Sequence, residues 1–210
     1  MHKKLTIAAA FAAMLCSAQG ASIVTGTGFA AGVRLQSLSG SLITTTVQYA
    51  VGSFSGQLPS STATFAEIRS GFKEFARTTA NGDAAGAKIT NGTAMTATAG
   101  AAGTTVDDFN TRQIYVLIGN TPNLDNATEY AFYTGTTASG TNWLFPADVT
   151  AASSVNAIAG SPALINTIVG TEIDNATGND YLKLYGIPIP EPTSAVLALM
   201  GVLGLARRRR

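Results

Sequence analysis

The chain has 210 residues and a formal net charge of +1, but Lys3, Lys4, Arg207, Arg208, Arg209 and Arg210 hold six of its thirteen basic side chains. Between residues 21 and 190 seven basic side chains stand against eleven acidic ones, and only 12% of the chain is charged, about half the share of an average soluble domain; such a body has no surface for nucleic acid or another polyanion. His2 is the single histidine and Cys16 the single cysteine, both in a terminal segment expected to be cut off, so the mature chain is expected to lack Ser-His-Asp and Cys-His nucleophile systems, zinc sites with His or Cys ligands, and disulfides; no cofactor and no metal are expected.

Met1-His2-Lys3-Lys4 is a short positive start, followed by residues 5–15 with Thr6 as the one polar member and then by the small residues Ser17, Ala18 and Gly20. This order is that of a secretory signal peptide over residues 1–20, with cleavage after Ala18 or Gly20. As a helix the apolar part is about 16 Å long, half of the ~30 Å hydrocarbon core, too short for a permanent span. Leu15 stands where a lipoprotein processing site would need a small residue before Cys16.

Residues 21–186 read as one mostly β domain of about 170 residues, enough for one ordinary core. In chain order, residues 22–27 and 41–51 are expected strands. Phe65, Ile68, Phe72 and Phe75 then fall at helical spacing between residues 64 and 77, behind a possible capping box of Thr64 and Glu67, and predict one short amphipathic helix packed on a sheet. Residues 87–90 are a weak strand candidate. Residues 91–105, all Gly, Ala and Thr apart from Asn91 and Met95, are expected to form a mobile loop.

Residues 113–120 (Gln-Ile-Tyr-Val-Leu-Ile-Gly-Asn) carry the strongest β signal and should be a central strand, with turn chemistry after them and residues 129–134 as the partner across the turn. Residues 163–169 and 181–186 complete the set. Short strands separated by Gly, Asn, Thr and Ser clusters, without a βαβ rhythm, indicate an antiparallel β-sandwich-like domain.

Three acidic groupings, Asp107 with Asp108, Asp125 with Glu129, and Asp174 with Asp180, are the only material for a carboxylate-dependent hydrolase, which needs two carboxylates about 5 to 10 Å apart across a cleft. Each sits beside turn-forming residues, where acidic side chains ordinarily cap and close loops, so no enzymatic activity is expected. Residues 174–180 offer oxygen ligands but lack the order of a calcium loop, and a hairpin turn is the expectation. Asn91, Asn126 and Asn175 begin glycosylation acceptor triplets and mark exposed turns. Thr-x-Thr pairs recur at irregular intervals, against a regular ice-binding face. Trp143, with Phe145 and Pro146, is expected to close one end of the core; as a surface platform it would instead be a possible glycan contact in a carbohydrate-binding module.

From residue 187 the chain reads Ile-Pro-Ile-Pro-Glu-Pro, then an apolar stretch over 193–206, then four arginines. The prolines hold an extended, accessible linker. The apolar stretch reaches only about 20 Å as a helix, and the arginines remain among cytoplasmic headgroups. This order, together with the signal peptide, resembles the PEP-CTERM proteins of Gram-negative bacteria over residues 188–210. The resemblance implies that Pro190, Glu191 and Pro192 are the recognition motif of an exosortase, a membrane cysteine transpeptidase, and that residues 193–206 are a transient transmembrane helix. It further implies that Arg207, Arg208, Arg209 and Arg210 are retention charges. The implied partners are the export machinery, that processing enzyme, the inner membrane for a time, and an exopolysaccharide; the implied location is the cell surface or extracellular matrix. Residues 105–148 also look like an arrangement found in short PEP-CTERM proteins with no assigned activity, which implies a shared fold and no reaction. The fold and tail together point to a structural or adhesive role.

Overall fold

Residues 113–120 do form the central strand, and the rest of the domain is arranged around it. The computed structural model describes residues 21–26, 33–82, 84, 86–89, 93–96, 105–137, 139–150, 154–158, 164–173 and 181–186. The expected signal peptide, the sorting tail and the acidic turn 174–180 lie outside the described residues.

The strands in chain order are β1 (Ser22–Gly26), β2 (Arg34–Gln36), β3 (Val47–Phe54), β4 (Phe72–Ala80), β5 (Thr93–Thr96), β6 (Tyr115–Gly119), β7 (Glu129–Gly135), β8 (Ser154–Ile158), β9 (Ile165–Val169), β10 (Thr171–Ile173), β11 (Tyr181–Lys183) and β12 (Tyr185–Gly186). One helix, α1 (Phe65–Gly71), joins β3 to β4. The chain is thus mostly β with a single short helix. The main sheet has six strands in the order β12-β7-β6-β3-β4, with β9 beside β12 on β7, and every pairing in it is antiparallel. Two three-stranded sheets, β5-β1-β8 and β10-β11-β2, complete the fold. Each contains one parallel pair between strands distant in sequence, β1 with β8 and β2 with β11.

All five residues of β6 are buried, because both faces of the main sheet are covered. On one face Val116 and Ile118 pack with Val47, Tyr49, Val51, Ala131 and Tyr133 against residues of both small sheets, among them Ile23, Leu35 and Leu182. Phe75, Phe109 and Phe145 form a triangle in this larger core, with ring centroids 5.0 to 5.3 Å apart. On the other face Tyr115 and Leu117 pack with Ala50, Phe72 and Phe132 under α1 and the turn at Leu124. There Tyr115 stacks on Phe132 at 5.2 Å, and Phe54 and Phe72 meet the same ring at 5.4 and 6.0 Å. Burying each large side chain contributes about 1.5–3 kcal/mol, so the two filled faces are the main source of stability.

The expected helix over 64–77 is corrected to seven residues. Thr64 caps it, accepting from the Glu67 N–H at 3.3 Å while the Glu67 carboxylate accepts from the Thr64 N–H at 2.6 Å. This reciprocal pair fixes the start. Past Gly71 the chain turns extended, and Phe72 enters a nine-residue strand whose ladder with β3 outweighs the local helical spacing. A bulge lies in that ladder: Glu74 pairs with Gly52 and Ala76 with Val51, leaving Phe75 as the extra residue. The extra residue resets the alternation of faces, so that Phe75 and Ala76 both enter the larger core while Phe72 enters the smaller one. A side chain at position 52 would collide with the Lys73 carbonyl, which is why glycine stands opposite the bulge.

Other expectations shift in the same way. The strand expected over 41–51 begins at Val47, and residues 87–90 supply only a bridge from Lys88 to Arg34. The segment expected as a mobile loop, 91–105, contains β5, whose Met95 is buried in the larger core. Two hairpin turns are built alike: Ser37 and Thr137 each accept from Gly40 and Gly140, whose φ values of +87° and +79° suit glycine alone. Ser37, Ser39 and Ser41 in one turn, and Thr137, Ser139 and Thr141 in the other, line up their hydroxyls at the same 2.8 and 3.3 Å steps.

Phe132→Ala should cost about 3–5 kcal/mol in chemical denaturation, since the rings of Phe54, Phe72 and Tyr115 lose their common partner. Leu58→Ser, at a position 46% exposed, should stay within about 0.5 kcal/mol in the same assay.

Candidate functional site

The outer surface of β4 carries the densest set of charged side chains among the described residues. The bulge at Phe75 places Glu74 and Arg77, three apart on one strand, on the same face. The Arg77 Nε and Nη2 donate to the two Glu74 oxygens, each at 2.6 Å, and its Nη1 reaches Asp125 Oδ2 at 3.0 Å and Gln48 Oε1 at 3.2 Å. From α1, Arg69 donates to Glu74 Oε2 at 3.0 Å, and its Nη2 forms an ion pair with Asp125 Oδ1 at 3.3 Å. Gln48 Oε1 also accepts the Leu124 N–H at 3.0 Å. The cluster therefore joins α1, β3, β4 and the turn between β6 and β7.

Burial pulls the Glu74 carboxyl up, but the hydrogen bonds from Arg77 and Arg69 outweigh it and hold the group below its ordinary range. The hydrogen bond from Arg77 does the same for Asp125, and Glu74 above all drives the Arg77 guanidinium up. Both carboxylates stay ionised and engaged at neutral pH. Such a group has neither a proton to give nor a free lone pair aimed at a substrate, so the arrangement is a clamp between elements rather than acid–base machinery.

Three other acidic side chains are placed as caps and ties, while Asp107, beside Asp108, is exposed. Asp108 accepts from the Thr105 N–H at 2.6 Å at the head of a single 3₁₀ turn. Asp148 accepts from the Thr150 N–H and hydroxyl at 2.8 and 2.6 Å. Glu129 accepts the Leu38 N–H at 2.9 Å, tying β7 to the first of the twin turns. Asp125 and Glu129, grouped by sequence, are held by different partners, and Asp174 with Asp180 lies outside the described residues. Among the described residues no three His, Cys, Asp or Glu side chains converge as metal ligands. Asn126 is exposed in a short turn, as its triplet suggested.

Trp143 requires a correction as a possible glycan contact. It is 2% exposed and belongs to the larger core, its ring lying where a Cβ on Gly135 would have to go. An indole enclosed this way has no face to stack on a sugar; with Phe145 it fills the core, the other half of the expectation. Among the described residues a groove of about 260 Å³ runs between residues 54–60 and α1, with Phe54, Gln57, Pro59 and Glu67 in its walls. Glu67 is committed there to capping Thr64, whose N–H and hydroxyl hold its carboxyl below the ordinary range.

Sequence reasoning singled out none of Arg69, Glu74, Arg77 and Gln48. The i,i+3 spacing of Glu74 and Arg77 was visible, but it read as part of a helix, and nothing local joins them to Asp125. Because Glu74 and Asp125 are held below their ordinary values, their stabilisation is complete above about pH 4 and is lost as pH falls through the depressed folded values. Arg77→Met should therefore cost about 1–2 kcal/mol at pH 7, and the difference from the parent should shrink toward pH 2, read by denaturant unfolding at both pH values.

Pro190, Glu191, Pro192 and the four terminal arginines lie outside the described residues, so their evidence is the sequence itself. Among the described residues no helix is long and apolar enough to cross a membrane, and the expected transient helix over 193–206 is not among them. Residues 188–210 match the family model of the PEP-CTERM protein-sorting motif. No curated protein and no solved structure matches the chain. The motif marks a protein that is exported and sorted to the cell surface by exosortase-type machinery. The chain thus carries a PEP-CTERM protein-sorting motif at its carboxyl end, over residues 188–210.

Proposed function

We propose that this protein is a non-enzymatic structural or adhesive component of the cell surface or extracellular matrix, delivered there by removal of both ends. The observation that carries the reading is the sorting motif at 188–210. A signal peptide within residues 1–20 directs export and is removed. Residues 193–206 halt in the inner membrane, because Arg207, Arg208, Arg209 and Arg210 favour the anionic cytoplasmic face by about 1 kcal/mol each. The prolines around Glu191 keep the linker extended, so Pro190, Glu191 and Pro192 stand outside the bilayer within reach of the processing enzyme.

The body suits such a role. Six of its described carboxylates, those of Glu67, Glu74, Asp108, Asp125, Glu129 and Asp148, are engaged in caps, ties and the arginine clamp, which supports a scaffold more than a catalyst. Its exposed turns present Ser and Thr hydroxyls, a polar surface with little charge for contact with a hydrated polysaccharide matrix. With Trp143 in the core, a glycan-binding role has lost the platform that suggested it.

Expression in strains with and without an exosortase tests the reading through the mass of the product. The tail should be lost only where the enzyme is present, and replacing Pro190, Glu191 and Pro192 together by alanine should leave it intact there. Equal masses from both strains would remove the sorting step.

A further inference from the structure

Two bonds in the expected signal peptide, after Ala18 and after Gly20, satisfy the small-residue requirement for cleavage, and the fold distinguishes them. Ala21 is 0% exposed and belongs to the larger core. Its backbone N–H donates to the Val149 carbonyl at 2.8 Å. The next residue opens β1, which is the middle strand of its sheet, paired along its length with β5 on one side and β8 on the other. The first described residue of the domain is therefore an interior position.

Cutting after Gly20 would turn the Ala21 nitrogen from a neutral amide into an α-amine, which in an unfolded chain titrates near 8 and is cationic at neutral pH. An ammonium in that place has one carbonyl for its protons and little water, a poor exchange for bulk hydration. The strands around it offer no counter-charge: β1, β5 and β8 contain no charged residue. On the facing segment the adjacent carboxylate, Asp148, accepts from the N–H and hydroxyl of Thr150, and Asn110 holds the Val149 N–H at 3.0 Å. Cutting after Ala18 keeps the Ala21 nitrogen an amide and moves the charge two residues upstream.

We propose that export processing hydrolyses the Ala18–Gln19 bond, so that the mature chain begins Gln19-Gly20-Ala21. Water supplies both new groups: its oxygen joins the Ala18 acyl carbon, which leaves as a carboxylate, and protons complete the α-ammonium on Gln19. The inference rests on residues 1–20 being a signal peptide, and its test separates the two.

The full chain is expressed in an exporting Gram-negative host, and the exported product is read by intact mass and terminal sequencing. A chain starting at Gln19, as such or cyclised with loss of ammonia, is the expected result. A start at Ala21 overturns the inference and leaves export standing; a start at Met1 overturns both. A second measurement compares chains starting at Gln19 and at Ala21, both running to Arg210 and held in detergent, by thermal unfolding from pH 6 to 10. Burial lowers the folded pKa of an amine at Ala21, so the unfolded state binds more protons and stability falls as pH drops through about 8. The two chains should melt together at pH 10 and differ by about 4 °C or more at pH 6, the Ala21 chain lower. Superimposed profiles throughout would overturn the inference.

Discussion

Strand β6 has no residue that meets water, and the architecture follows from the need to cover it on both sides. A half-buried sheet can leave one face polar; here Val116 and Ile118 point one way, Tyr115 and Leu117 the other, and both pairs need apolar neighbours. The two faces are covered by different means. One receives two small sheets and a triangle of phenylalanines, the other a short helix and the stacked rings around Phe132. A single helix of two turns can do this because Phe54, Phe72 and Tyr115 are large enough to fill most of the second face themselves.

The bulge at Phe75 links this packing to the surface charge. Without the extra residue, Glu74 and Arg77 would lie on opposite faces of β4, one of them buried in a core. With it, both reach the outer side, where Arg69 and Asp125 complete a clamp that ties α1 to the sheet and to the turn after β6. The clamp holds Glu74, whose side chain is 17% exposed, together with Asp125, which is 52% exposed. Outside the clamp the described surface carries scattered charges, among them Lys73, Asp107 and Arg112, beside its hydroxyls and amides. The address of the chain lies in the tail, at residues 188–210.

The parts of this fold that were legible in the sequence are those decided within a few residues. The β-branched and aromatic run at 113–120, its partner at 129–134, the capping box of Thr64 and Glu67, and the tail motif all depend on neighbours close in sequence. The parts that were not legible depend on distant pairing. Phe72 and Phe75 kept helical spacing, yet the ladder with β3 made them strand residues, and the bulge that produced the spacing exists only when Gly52 is opposite. Met95 lies in a run of Gly, Ala and Thr that looked empty, and it is buried because β1 pairs with it. Trp143 was expected to close one end of the core, with a surface platform as the alternative, and the packing beside Gly135 settles it as a core residue. The arginine clamp was hidden for the same reason, since Asp125 meets Arg77 across 48 positions of sequence.

The two parallel pairings set a timetable for a chain that leaves the cytoplasm amino end first. β1 and β2 reach the far side of the membrane early, but their partners β8 and β11 arrive near the end of transit, with β11 only a few residues ahead of the sorting tail. Neither small sheet can close, and the larger core stays uncovered, until that last stretch has come through the translocation channel. Completion of the fold therefore waits on the stretch just ahead of the sorting motif, and a chain halted midway would leave the apolar face of its main sheet uncovered.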